Sequence, residues 1–174
     1  TALVKVYPGF FPGFDFAGQC KNTPIQFTDL TTATYGMPDK WNWDFGDPSS
    51  ASNISTLQNP THVYANTGTY NVVFFVQSSK GCNDTIHKTI TILDKPPLTL
   101  TNDTLICIVD TLQLNAVGTG SFLWSPNYMI SNVNIANPLV SPDVTTTYYV
   151  TLTDPFGCVG TDSVKVNVKS FVTL

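Results

Sequence analysis

One pattern is written twice along this 174-residue chain, and that repetition limits the fold more than any other feature. The segment Cys20-Lys-Asn-Thr-Pro-Ile-Gln-Phe27 aligns with Cys107-Ile-Val-Asp-Thr-Leu-Gln-Leu114, each cysteine standing five residues ahead of an apolar-Gln-apolar strand. Trp41-Asn-Trp43-Asp-Phe45 is matched by Phe122-Leu-Trp124, and Asn59-Pro60 by Asn137-Pro138. The run Gly68-Thr-Tyr70-Asn-Val72-Val-Phe74-Phe-Val76 returns as Thr147-Tyr148-Tyr-Val150-Thr-Leu152. Each copy then closes on Gly81-Cys82 or Gly157-Cys158, followed by a last strand over 86–92 or 164–168.

The pattern has a strand period. Tyr70, Val72, Phe74 and Val76 fall on one face, as do Tyr148, Val150 and Leu152. Gly-Thr-Gly, Asn-Pro and Asp-Pro turns punctuate the chain at short intervals, and no helical period is found. Composition agrees: the chain holds 25 Thr but no Glu and no Arg. Thr, branched at Cβ, suits a pleated surface, whereas Glu and Arg favour helices. The expected fold is all-β, two tandem immunoglobulin-like β-sandwiches. Asp94-Lys-Pro-Pro97 marks the boundary, because two prolines stiffen the chain there. Residues 10–94 then form one domain and 95–174 the other. The opening Ala2-Leu-Val-Lys-Val-Tyr7 is similar to the last strand of a repeat, so residues 1–9 read as the remnant of a preceding module.

A net charge of −4, with only 11% charged residues, gives no basic surface for nucleic acid. No apolar stretch approaches the ~18 residues of a membrane span. No Ser-His-Asp or Cys-His arrangement is evident, and without Glu there is no Glu pair for acid–base work. The expected protein is therefore not an enzyme, needs no cofactor and is monomeric as a fragment. It begins at Thr1 with no signal peptide, which reads as an internal piece of a longer chain.

Trp43-Asp44-Phe45-Gly46-Asp47, Asn59-Pro60-Thr61-His62-Val63-Tyr64 and Gly68-Thr69-Tyr70 together resemble the PKD (polycystic kidney disease) domain over about residues 10–93. Pro48 stands where that family usually has Gly, and an insertion of roughly ten residues precedes Asn59; both bear on the loop rather than the fold. The second copy, with Trp124, Tyr148 and Asp154-Pro-Phe-Gly-Cys158, looks like Ig-like repeats found beside PKD domains in giant surface proteins of Bacteroidota. That resemblance implies export by the type IX route, and gliding-motility adhesins among the relatives.

Trp43 and Trp124 occupy the strand that carries the core Trp of Ig-like folds. Tyr70 and Tyr148 open the penultimate strand, the place of a tyrosine corner whose hydroxyl bonds nearby backbone. Trp41 shares the parity of Trp43 and helps close the same core; stacking on a sugar is the alternative. Asp44 and Asp47 flank Gly46 and are weak Ca²⁺ candidates, since hard cations take oxygen ligands, but Asp also stabilises tight turns. His62 belongs to the PKD signature, and His87 lies far from it. Asp84-Thr85-Ile86, Asp103-Thr104-Leu105, Asp110-Thr111-Leu112 and Asp162-Ser163-Val164 resemble an O-glycosylation motif of Bacteroidota, and also describe turns that feed strands. Sequons begin at Asn53, Asn83 and Asn102.

The cysteines allow three arrangements: pairs within each domain, free thiols, or a bridge between domains. In an Ig-like sandwich the loop before the second strand and the loop after the penultimate one lie at opposite poles. Cys20 and Cys82, and likewise Cys107 and Cys158, are thus separated by roughly 20–30 Å at ~3.3 Å per residue. A disulfide needs Cα atoms within ~7 Å. Tandem stacking favours an interdomain Cys20–Cys158 bridge, with Cys82 and Cys107 directed to neighbouring repeats. Any such bridge implies an oxidising, extracellular setting, here a bacterial cell surface. The function expected is a structural or adhesive repeat, forming a stiff stalk in a large cell-surface adhesin and taking part in attachment or gliding. The alternative is an accessory carbohydrate-binding module of a secreted polysaccharide-degrading enzyme, its partner a surface polysaccharide or other glycan. Tyr7, Phe10, Phe11, Phe14, Tyr128 and Tyr149 are the aromatics that would serve it if they face solvent.

Overall fold

Alternation decides which faces meet. Ile25 and Phe27 are fully buried while the intervening Gln26 is not, and Val72, Phe74 and Val76 repeat the pattern on a longer strand. The structure, a computed structural model, describes residues 9–170. The proposed strand remnant at residues 1–9 therefore lies outside the described residues, apart from Gly9. No helix occurs among the described residues, and the chain divides between Asp94 and Lys95 into two compact units.

The first unit contains β1 (Phe10–Phe11), β2 (Phe14–Ala17), β3 (Pro24–Asp29), β4 (Thr32–Ala33), β5 (Pro38–Asp44), β6 (Ile54–Ser55), β7 (Thr61–Val63), β8 (Gly68–Ser78) and β9 (Asn83–Ile92). A three-stranded sheet, β2-β3-β7, packs on a four-stranded one, β6-β5-β8-β9, with β1 and β4 paired beside them. The core between the layers is aromatic. Trp43 stacks on Phe74 at 4.0 Å, and Phe14 meets the Trp43 ring edge-on at 5.1 Å. Phe14 is thus a core residue, 1% exposed, and not the solvent-facing aromatic that a glycan-binding row would need. Its position opposite Asp29 in the β2–β3 ladder turns it inward.

One position on the core-side parity of β9 is polar and exposed. Lys88 sits opposite Val72 in the β8–β9 ladder. Its stem runs along the core edge, and its ammonium lies 5.0 Å from the Phe14 ring centre while donating to the Phe14 carbonyl. The lysine thereby fastens β9 of one sheet to β2 of the other. The expected loop insertion also has structure: β6 adds to the sheet edge through Trp43–Ser55 and Asp44–Ile54 pairs.

The second unit contains β10 (Thr99–Leu100), β11 (Thr104–Cys107), β12 (Leu112–Gln113), β13 (Ala116–Val117), β14 (Ser121–Ser125), β15 (Leu139–Val140), β16 (Thr146–Thr153) and β17 (Val159–Lys169). Its main sheet is β11-β17-β16-β14, with β11 parallel to β17. The smaller pairs β12-β15 and β10-β13 supply the facing layer. Leu114, Trp124, Tyr148, Val150 and Val164 fill a separate core. The prolines of the boundary belong to this unit. A Cβ added to Gly160 would come 2.9 Å from the Pro96 carbonyl oxygen, so only glycine lets Pro96 lie against the start of β17.

Trp43→Ala removes the ring on which Phe14, Phe27 and Phe74 all pack. The expected cost to the first unit is about 3–5 kcal/mol. Amide hydrogen exchange at Val72, Phe74 and Val76 reads it directly; unchanged protection would contradict this account of the core.

Candidate functional site

Asp44 and Asp47 begin a loop that their own side chains organise. Asp44 Oδ1 accepts from the Gly46 amide at 2.9 Å and from Asn53 Nδ2 at 2.8 Å. Asn53 Oδ1 in turn accepts from the Asp47 amide at 2.6 Å, while the Asn53 carbonyl accepts from the Phe45 amide. Gly46 has φ +68°, and a Cβ there would meet the Asn71 carbonyl oxygen at 2.5 Å, so the turn admits only glycine. Asp47 is buried: Oδ1 accepts from the Ser49 hydroxyl at 2.6 Å, and Oδ2 lies 3.2 Å from His62 Nε2. The His62 ring stacks on Phe45 and meets Tyr64 edge-on. Burial opposes ionisation of Asp47, but the Ser49 hydroxyl and the His62 ring outweigh it and hold the carboxyl below the usual aspartate value. These oxygens bind protein. Among the described residues, no group of three or more His, Cys, Asp or Glu is arranged to hold a metal ion.

The tyrosines and tryptophans anchor backbone. Tyr70 donates its hydroxyl to the Asn66 carbonyl at 3.0 Å, the short return of a tyrosine corner. Tyr148 differs from that expectation: its hydroxyl reaches the Tyr128 carbonyl at 2.7 Å, twenty residues upstream. It therefore ties down the long segment between β14 and β15 instead of its own turn. Burial pushes the Tyr148 phenol up to about 12. Trp43 and Trp124 carry out one task in both units, donating the indole N–H to the carbonyls of Leu57 and Ile135 at 2.9 and 2.8 Å. Trp41 is half-buried against the first core and donates to Asp29 Oδ2 at 2.8 Å. Tyr64, not singled out from sequence beyond its place in the motif, is fully buried and donates to the Phe45 carbonyl. Asn53 was legible only as the start of a sequon, yet it holds the loop. Every buried side-chain nitrogen and oxygen among the described residues has a hydrogen-bond partner.

Of the aromatics proposed to meet a sugar, Phe10 packs on the first core, whereas Phe11, Tyr128 and Tyr149 are exposed. Tyr7 lies outside the described residues. Tyr128 donates to Asp143, and Tyr149 projects from the outer face of β16 beside Ser125 and Ser163. His87 is exposed on the outer face of β9, far from His62. In the Asp-Thr/Ser-apolar triplets, Thr85, Thr111 and Ser163 are exposed and Thr104 is half-buried.

The cysteines mark the ends of each unit. Cys20 bridges in parallel to Leu93, just after β9 ends, and Cys82 immediately precedes β9. Cys107 pairs in parallel with Lys169 at the end of β17, and Cys158 immediately precedes that strand. A whole last strand, about 30 Å at ~3.3 Å per residue, thus separates the two cysteines of each unit. Cys20 and Cys158 are disulfide-bonded, whereas Cys82 and Cys107 are thiols.

Residues 15–92, whose loop and tyrosine anchors are described above, match the PKD domain family. The first unit is a PKD domain. Over 135 residues the chain is 28% identical to collagenase ColA of Bacillus cereus, an alignment spanning 77% of this chain and 12% of the collagenase. Similar solved structures include the PKD1 domain of the Vibrio cholerae metalloprotease PrtV, at 25% identity and TM-score 0.42, covering 48% of this chain and 95% of that one. The fibronectin(III)-like modules of Clostridium thermocellum CbhA are 14% identical at TM-score 0.47, covering 91% of this chain and 95% of theirs.

The lowered Asp47 pKa makes one contribution to the acid sensitivity of the PKD domain. The unfolded chain binds a proton at this carboxyl more readily than the folded one, so acid favours unfolding. The stabilisation is present above the ordinary aspartate pKa of about 4 and is lost as pH falls through the lower folded value. Asp47→Asn is expected to lower stability at pH 7 by about 1–3 kcal/mol. It also flattens the acid limb of a urea-midpoint series; an acid limb identical to that of the parent would contradict the assignment.

Proposed function

We propose that the two modules are non-catalytic repeats of a large cell-surface adhesin, acting outside the cell as a stiff stalk that carries a distal attachment region. The carrying observation is the placement of the cysteines at the two ends of each last strand. Every module then offers a covalent attachment point at both poles, which suits a chain that must transmit tension and serves no purpose in a single isolated domain. Cys20 and Cys158 form one staple with each other, and Cys82 and Cys107 face neighbouring repeats. The oxidised state of the first two and the thiols of the second two support this pairing. Disulfides form and persist mainly in oxidising compartments, which supports a parent protein that works outside the cytosol. Strand ladders running the length of each unit resist pulling, because force along the strands loads many hydrogen bonds together.

A second reading draws on two observations. The chain aligns with a small part of a collagenase, and Tyr149 stands exposed among hydroxyls on an outer sheet face. On that reading the modules are accessory parts of a secreted hydrolase, with Tyr149 stacking on a carbohydrate. Neither reading requires a cofactor, and bound Ca²⁺ would have to displace the internal partners of Asp44 and Asp47.

Peptide mapping without reduction tests the stalk. A Cys20–Cys158 linked peptide is the expected result, and a Cys20–Cys82 linkage would contradict it. Glycan-array binding that disappears in Tyr149→Ala would move the assignment to the second reading; the stalk predicts no such binding.

A further inference from the structure

The four cysteines are of two geometric kinds, and each kind occurs once per unit. Cys82 and Cys158 occupy one turn built twice. The Ser78 amide donates to the Cys82 carbonyl at 2.7 Å, and the Asp154 amide to the Cys158 carbonyl at 3.0 Å. The Cys82 amide returns to Ser78 Oγ at 3.2 Å, and the Cys158 amide to Asp154 Oδ1 at 2.8 Å. The preceding glycines agree as well, with φ +84° at Gly81 and +83° at Gly157. Cys20 and Cys107 occupy the other shared setting. Each lies in a parallel pairing at the end of the last strand, with Leu93 or Lys169. The next amide donates to that partner's carbonyl, Lys21 to Leu93 at 2.9 Å and Ile108 to Lys169 at 3.1 Å.

One cysteine of each kind is oxidised, Cys158 of the turn kind and Cys20 of the strand-end kind. The thiols that remain are also one of each, Cys82 and Cys107, both half-buried. Like settings therefore predict like partners. We infer that Cys82 is a docking point for a strand-end cysteine, and Cys107 for a turn cysteine, of a second copy of these modules. The partner chemistry is thus another copy of this chain, joined head to tail through Cys107 of one molecule and Cys82 of the next. This rests on the Cys20–Cys158 staple proposed above, since that staple would be the same union within one chain. Such a contact is heterologous, so it joins unlike ends and lets one copy follow another in a head-to-tail array. The bond forms by exchange with a small-molecule disulfide. Two thiols and one oxidised glutathione give one protein disulfide and two reduced glutathione molecules, and the thiolate of either cysteine is the nucleophile.

The test uses the full chain with Cys82→Ser and Cys107→Ser variants, incubated in glutathione buffer at mildly alkaline pH and separated without reduction. The parent chain is expected to give a ladder of oligomers containing a Cys82–Cys107 peptide. Each variant alone is expected to stay monomeric, and an equal mixture of the two to stop at a dimer. The inference is overturned if Cys107→Ser forms Cys82–Cys82 dimers as readily as the mixture forms its dimer, or if the mixture forms none. Mapping the monomer separates the two claims. A Cys20–Cys158 peptide with no mixed dimer defeats this inference alone, whereas a Cys20–Cys82 peptide defeats the staple on which it rests.

Discussion

The pairing of the last two strands in each unit is the constraint from which the other features follow. In the PKD domain β8 and β9 run side by side from Gly68–Ile92 to Gln77–Asn83 without a break in register. In the second unit β16 and β17 do the same from Thr146–Val166 to Thr153–Val159. A side-chain period of two means that this single register sends Val72, Phe74 and Val76, or Tyr148, Val150 and Leu152, into the core together. The same length of ladder holds the connecting turn a whole strand away from the far end, and cysteines stand at both places.

Each core is then completed from the opposite layer in the same way. A tryptophan crosses the interior and donates its indole N–H to a backbone carbonyl in the irregular segment that follows, Leu57 in one unit and Ile135 in the other. That bond matters because an indole N–H buried without a partner would cost about 1–3 kcal/mol. The units diverge where they close. The PKD domain seals its loop with the Asp44–Asn53–Asp47–His62 set, whereas the second unit relies on Tyr148 reaching Tyr128. Among the described residues, the buried side-chain nitrogens and oxygens are all satisfied by hydrogen bonds.

Much of this was legible beforehand because period and turn chemistry are local. The strand faces, the core tryptophans and the corner at Tyr70 follow from alternation and from position within the repeat. Opposed poles for the cysteines follow from where those residues stand relative to the strands. The remainder depends on contacts distant in sequence. Phe14 looked available to a sugar because its short flanking segment shows no clear period, yet pairing with Asp29 turns it inward. Lys88 breaks the alternation of β9, and only the reach of its side chain across the core edge to Phe14 accounts for it. Asn53 sits in an insertion where its one sequence signal is a sequon, and its role in the loop exists only once the chain has folded back on Asp44. The hydroxyl of Tyr148 found a partner twenty residues away because the second unit has a long segment there to restrain.

Separation of the two cysteines of one module is the claim on which the rest stands, and a distance measurement reaches it directly. In a Cys107→Ser/Cys158→Ser chain, spin labels on Cys20 and Cys82 lie within the PKD domain alone. Pulsed electron–electron resonance is expected to give a single narrow distribution near about 30 Å, the length of one such strand at ~3.3 Å per residue. A distribution within the ~7 Å Cα reach of a disulfide, widened only by the label arms, would contradict the opposed poles and with them the staple and the stalk.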